Sequence, residues 1–191
     1  MIEIYADGAD FDGIMAVAAN PRITGFTTNP TLMKQSGITD YERFAKNIIF
    51  NLSELRPNTN ISLEVFADDF DGMYNQAKKI ASWGEEADYD VFVKIPVTNT
   101  KGEPNYDLIK KLNQEGVRVN VTAVFTRSQT RNILESIVNK NCPVIISIFS
   151  GRIADTLRDP VLYTKDCIDL MKDNLDKKNV KFLWASCREL Y

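Results

Sequence analysis

Seven short runs of β-branched and aromatic residues recur along the chain, each but the last followed by a stretch of helical character. They are IEIYAD (2–7), ITGFTTN (23–29), NISLEVFA (60–67), YDVFVKIPV (89–97), VRVNVTAVF (117–125), PVIISIFS (143–150) and VKFLWAS (180–186). Between them lie helical segments at Asp10–Ala19, Asp40–Leu55, Asp69–Trp83, Pro104–Glu115, Ser128–Asn139 and within Ala154–Leu175. The second run turns at Pro30, where a helix could also begin. Runs apolar on both faces, separated by helices, imply parallel strands joined by crossover helices.

Such an α/β pattern fits a doubly wound open sheet or a parallel (β/α)8 TIM barrel. Two features favour the barrel. No Gly-rich phosphate loop follows the first run, as a dinucleotide-binding open sheet requires. Polar residues also sit near the carboxyl end of nearly every run: Asp7, Asn29, Glu64, Lys94, Asn120 with Thr122, Ser147, and Ser186. In a barrel all these ends converge on one active-site face, whereas in an open sheet only those at the switch point meet. The expectation is a single barrel domain over residues 1–191, with the eighth strand and helix missing and the natural protein longer than this chain.

The chain carries 23 Lys and Arg against 26 Asp and Glu, a net charge of −3, which argues against nucleic-acid binding by a basic surface. No apolar run reaches membrane-spanning length, and the first residues lack the pattern of a signal peptide. The three cysteines, Cys142, Cys167 and Cys187, are scattered and form no C-x-x-C pair, so neither a disulfide framework nor a thiolate metal site is expected. A cytoplasmic location fits best. Histidine is absent, which excludes His-based triads and His-ligated zinc. Acid–base chemistry would fall to Asp, Glu, Lys or Tyr.

Lys94 stands in the middle of an apolar strand. Taken alone, it reads as a lysine snorkelling from a strand end. Desolvated at a barrel mouth, its amine would instead be available to attack a carbonyl and form a Schiff base, with no metal or cofactor needed. Asp7 and Glu64, also at strand ends within apolar surroundings, could supply the proton transfers, or one of them could simply pair with Lys94. Asn29, Asn120, Thr122 and Ser147 suit hydroxyl groups or an ordered water, though each could equally be a cap or turn residue. Arg152 and Arg188 follow the sixth and seventh runs, where barrels commonly bind phosphate.

The segments GFTTNPTL (25–32), SLEVFAD (62–68), VFVKIPVT (91–98), NVTAVFT (120–126), ISIFSGRIAD (146–155) and LWASCREL (183–190) occur in an order and spacing that resembles the transaldolase family, especially its small single-barrel members and the related fructose-6-phosphate aldolases. The resemblance implies an enzyme that moves a dihydroxyacetone unit between sugar phosphates through a lysine Schiff base, with no cofactor or metal. Lys94 would be the Schiff-base lysine, Asp7 the acid–base, Glu64 an acid–base acting through water and Thr122 the residue holding that water. Thr27, Asn29, Asn120, Ser147 and Phe149 would line the substrate site, and Arg152, Ser186 and Arg188 would receive the phosphate. Glu64 and Phe149 follow the transaldolase pattern, where the aldolases carry Gln and Tyr. The chain departs from the family at YADGAD, in place of an LDTA-type start, and at Ile148, where Pro is usual. Members continue through an eighth strand and a final helix that tends to reach a neighbouring subunit, so a pentameric or decameric homo-oligomer is implied.

Three readings follow. The first is a transaldolase of the pentose phosphate pathway, the second a sugar-phosphate lyase, and the third an inactive barrel serving as a binding scaffold.

Overall fold

The computed structural model describes residues 2–172 and 179–188. Its strands are β1 (Ile4–Asp7), β2 (Ile23–Thr27), β3 (Asn60–Glu64), β4 (Asp90–Pro96), β5 (Val119–Val124), β6 (Val144–Ile148) and β7 (Val180–Trp184). The helices are α1 (Phe11–Ala18), α2 (Pro30–Gln35), α3 (Tyr41–Leu55), α4 (Phe70–Glu86), α5 (Tyr106–Gln114), α6 (Arg127–Ser136), α7 (Ser150–Asp155) and α8 (Pro160–Lys172). The strands follow one another in sequence order within a seven-stranded sheet. The pairs β1–β2, β2–β3, β5–β6 and β6–β7 are parallel. Parallel strands in strictly sequential order with intervening helices are the architecture of a β/α barrel. An eighth strand is not among the described residues.

The described residues fall into two compact units. One comprises the residues up to Ala67 together with Asn75–Val93, and the other Asp68–Tyr74 together with the residues from Lys94 onward.

In the first unit, Asp10 and Asp40 cap α1 and α3, their carboxylates accepting from Gly13 N at 2.7 Å and Arg43 N at 3.0 Å. Helix α3 buries Phe44, Ile48 and Leu52 of its periodic apolar stripe, together with Ile49, while Leu55 at its end is exposed. Arg56 ends that helix and donates to the carbonyls of Ala18, Asn20 and Ile23 at 2.6, 2.9 and 2.7 Å, tying it to the segment that leads into β2. Tyr5 and Gly25 are register partners, as are Gly25 and Asn60. The Tyr5 ring lies over Gly25, where a Cβ would stand 2.3 Å from Cε1, and its hydroxyl accepts from Asn60 Nδ2 at 3.1 Å. Only glycine lets the ring cross β2 there.

Tyr89 is buried in the same unit, its hydroxyl 2.7 Å from Thr59 Oγ1. Burial pushes its phenol up to about 12, which outweighs the hydrogen bond with Thr59 acting the other way. The folded state therefore favours the protonated form. Its contribution is complete below the ordinary value of 10.0 and is lost as pH rises from there to about 12. In that window unfolding free energy should fall by up to about 1.4 kcal/mol per pH unit on account of this group. Urea midpoints measured across the window should decline less steeply in Tyr89→Phe.

In the second unit β5 and β6 are buried almost throughout. Helix α5 turns Leu108, Ile109 and Leu112 inward. Helix α6 starts with a capping box in which Thr126 Oγ1 accepts from Gln129 N at 3.1 Å and Gln129 Oε1 accepts from Thr126 N at 3.0 Å.

The structure corrects the strand reading in two ways. Burial on both faces holds for β2 to β6, but β1 and β7 are largely exposed or half-buried, because each stands at an end of the strand order with one strand neighbour. The strands are also shorter than their apolar runs, β3 ending at Glu64 and β5 at Val124. Among the described residues no helix is long and apolar enough to cross a membrane.

Candidate active site

Most of the site residues expected from sequence lie at, near or just beyond the carboxyl ends of the strands, Asn120 near the start of β5 being the exception, and each unit holds its own group of them. In the first unit Asp7 and Thr27 are register partners, and the Thr27 hydroxyl donates to Asp7 Oδ1 at 2.7 Å. Thr27 is buried, so its donor is committed to that carboxylate. Asp7 itself is exposed, contrary to the apolar surroundings expected for it, because it ends the edge strand β1. Asn29 lies two residues past β2 and caps α2, its Oδ1 accepting from Leu32 N at 3.0 Å. That leaves its amide nitrogen as the group able to serve a ligand.

Glu64 ends β3 half-buried. Its backbone carbonyl accepts from the Tyr41 hydroxyl at 2.9 Å. Burial, and secondarily the negative charge of Glu64, push the Tyr41 phenol up, so it remains a donor at any physiological pH. The Tyr41 ring meets Phe66 and Trp83 edge to face at 4.8 and 5.7 Å. An apolar cleft of about 380 Å3 adjoins this aromatic group, lined by Pro30, Met33, Ile38, Tyr41 and Phe66 among others.

In the second unit Lys94 is 7 % exposed, close to complete burial for a residue type that is seldom buried. The strand carrying it ends at Pro96, and the next residue, Val97, donates its N–H to Thr122 O at 2.9 Å. At Thr122 the strand β5 is irregular. The β5–β6 register shifts between Val121 and Val124, and Ala123 has φ +58°, the left-handed region that a β-carbon disfavours by about 1–2 kcal/mol. Thr122 is 2 % exposed, and its Oγ1 has no hydrogen-bond partner among the described residues. A buried orphan hydroxyl is costly unless a water or ligand meets it. Asn120 and Ser147, both buried, pair directly, the serine hydroxyl donating to Asn120 Oδ1 at 2.7 Å.

Beyond β6 the Phe149 ring stacks edge to face on Phe125 at 5.6 Å, and the Arg152 guanidinium lies 5.9 Å from the Phe149 centroid. Gly151 packs against the turn after β7, where a Cβ would fall 1.9 Å from Ser186 O and 2.7 Å from Arg188 Cγ. Ser186 has φ +57°. This close packing and the positive φ bring the Ser186–Arg188 turn against the start of α7. Arg188 is exposed and donates to Asp155 Oδ2 through Nη2 at 3.0 Å and Nε at 3.3 Å, which raises its already high pKa.

A match to a family model described as Transaldolase/Fructose-6-phosphate aldolase extends over residues 4–191. The chain belongs to the transaldolase/fructose-6-phosphate aldolase family. A "Probable transaldolase" of Dehalococcoides mccartyi is 31 % identical over 172 residues, covering 90 % of this chain and 72 % of that protein. One from Nitrosopumilus maritimus is 29 % identical over 188 residues, covering 98 % and 75 %. One from Anaeromyxobacter sp. is 30 % identical over 187 residues, covering 98 % and 77 %. Transaldolase/fructose-6-phosphate aldolase enzymes process sugar phosphates.

Two features of this family member have no clear sequence signal. The left-handed Ala123 is invisible in a run that otherwise reads as strand. Tyr41 reads only as the first apolar position of a helix, yet its hydroxyl reaches back to the end of β3.

Proposed function

We propose that this protein is a transaldolase, transferring a dihydroxyacetone unit between sugar phosphates through an imine on Lys94. The observation that supports the reading is the presence, within one unit, of a buried strand lysine and of a buried threonine hydroxyl with no hydrogen-bond partner among the described residues. A buried amine is suited to attack a ketose carbonyl, and the orphan Thr122 hydroxyl is suited to an ordered water that shuttles protons. Membership of the family and the name "Probable transaldolase" carried by its relatives support the reading.

In this reading Lys94 adds to the ketose carbonyl, and the carbinolamine loses water to give an iminium. Asp7 removes the proton from the hydroxyl carried by the far carbon of the bond to be broken. That bond cleaves, its electron pair enters the iminium to give an enamine, and the first aldehyde departs. The enamine then attacks an acceptor aldehyde, Asp7 returns the proton, and water hydrolyses the imine. By the family resemblance, Glu64 is assigned the water-mediated proton transfers of imine formation and hydrolysis, and Thr122 the holding of a water. Thr27 keeps the Asp7 carboxylate oriented by its 2.7 Å hydrogen bond. Asn29, Asn120, Ser147 and Phe149 contact the sugar chain, while Arg152, Ser186 and Arg188 hold the phosphate.

The test supplies fructose 6-phosphate with and without erythrose 4-phosphate. Turnover that depends on the acceptor supports transfer. Equal turnover without it assigns the alternative, a fructose-6-phosphate aldolase.

Arg188→Ala should raise KM for phosphorylated substrates roughly 10- to 100-fold, the range expected for one charge-assisted contact. Unphosphorylated ketoses should be unaffected, and Tm should not change measurably, since the Asp155 pair is exposed. An equal loss on both substrate types removes the phosphate assignment.

A further inference from the structure

The residue following Pro104 behaves unlike its sequence position. Asn105 stands where the N-cap of α5 would be, yet its side chain makes no capping hydrogen bond. It therefore forgoes the capping contact that its position offers. The amide turns back to the end of β4, where Nδ2 donates to Pro96 O at 2.9 Å. The side chain is 7 % exposed, and its nitrogen also lies 3.8 Å from Met73 Sδ. The backbone N–H of Asn105 donates to Val97 O at 3.0 Å.

Proline explains why such a brace is needed. Pro96 has no N–H, so the hydrogen-bond ladder loses a donor two residues beyond Lys94. Three bonds replace it at this strand end: Val97 N to Thr122 O, Asn105 N to Val97 O, and Asn105 Nδ2 to Pro96 O. Two of the three come from Asn105. The loop between is itself stiffened. Thr98 bridges Pro104, Asn99 Oδ1 accepts from the N–H groups of Lys101 and Glu103, and the Asp68 carboxylate accepts from both the N–H and the hydroxyl of Thr100. Asn105 is thus held firmly at its own end.

We infer that Asn105 is a positioning residue for Lys94, fixing the end of β4 so that the amine meets the substrate carbonyl in a reactive orientation. A displacement of about 1 Å at a reacting group can cost on the order of 100-fold in rate, so a brace two residues away is enough to matter. The inference rests on the Schiff-base reading above.

The experiment compares borohydride trapping of the Lys94–ketose imine in the unsubstituted protein, Asn105→Ala, Asn105→Asp and Asn113→Ala, per folded molecule, with steady-state kinetics alongside. Asn105→Asp keeps the size of the side chain but loses the donor, and it serves should Asn105→Ala fold poorly. Asn113 is a fully buried amide of the same unit, accepting from Val138 N and Asn139 N at 2.8 and 2.7 Å, with no hydrogen bond to β4 among the described residues. Both Asn105 variants should trap the imine roughly tenfold more slowly, with kcat reduced in step and KM changed less than about twofold. Asn113→Ala should lower Tm and leave the trapping rate unchanged.

Trapping by the Asn105 variants at the unsubstituted rate overturns the inference alone. So does an equal slowing in Asn113→Ala, because the effect would then be general loosening. Absence of any adduct in the unsubstituted protein overturns the Schiff-base reading, and the inference with it.

Discussion

Lys94→Ala should abolish turnover, by on the order of 10^4-fold or more, while leaving a folded protein. Loss of a covalent nucleophile acts on this scale because no neighbouring group can replace the bond it forms. The substitution leaves the backbone of β4 and the buried side chains on either side of position 94 in place, so the protein should still fold. The expected signature is a cooperatively melting protein with no mass adduct after borohydride reduction in the presence of fructose 6-phosphate. An adduct that persists in the variant would place the imine on another lysine. Retained turnover would remove covalent catalysis at this position altogether.

Gly151→Ala should have the largest effect of any single methyl group in the second unit. The added Cβ would stand 1.9 Å from Ser186 O and 3.0 Å from Ser186 C, both backbone atoms that cannot swing aside. Overpacking of this kind costs up to about 3 kcal/mol. For a chain of this length that corresponds to a fall in Tm of roughly 6–12 °C. The turn that must yield also carries Ser186 and Arg188, so KM for phosphorylated substrates should rise at least tenfold, on the scale of one charge-assisted contact. Calorimetry and kinetics together separate the two effects. A variant with unchanged Tm and unchanged KM would show that the Ser186–Arg188 turn moves freely and holds no phosphate.

The alternation of strands and helices was legible because it depends on period, and period survives in a single sequence. The caps Asp10 and Asp40 lie where the sequence places the start of their helices, whereas Thr126 caps α6 two residues before the start expected at Ser128. Strand ends were less legible, and Phe66 and Phe125 show why. Each extends an apolar run past its strand, but Phe66 packs on Tyr41 and Phe125 on Phe149. Their apolar character records side-chain pairing beyond the sheet, which period alone cannot distinguish from strand. The candidate site divides in the same way. Lys94, Thr122 and Gly151 lie in recognisable segments. The role of Asn105 does not, because asparagine before a helix normally signals a cap, and only coordinates show its amide turned toward Pro96.

The exposure of Asp7 contrasts with its own tether to the buried Thr27. It also confuses any simple correlation between burial and chemical importance.

The positive φ of Ala123 imposes a selection rule of its own. Its neighbours Val121 and Val124 are fully buried and reward branched side chains. At Ala123 the same branching would be penalised, since a left-handed backbone tolerates glycine and asparagine far better than valine or isoleucine. Substitutions accepted at this one position should therefore report backbone shape, and those accepted on either side should report packing. Within four residues the strand passes through two opposite criteria for what may replace what.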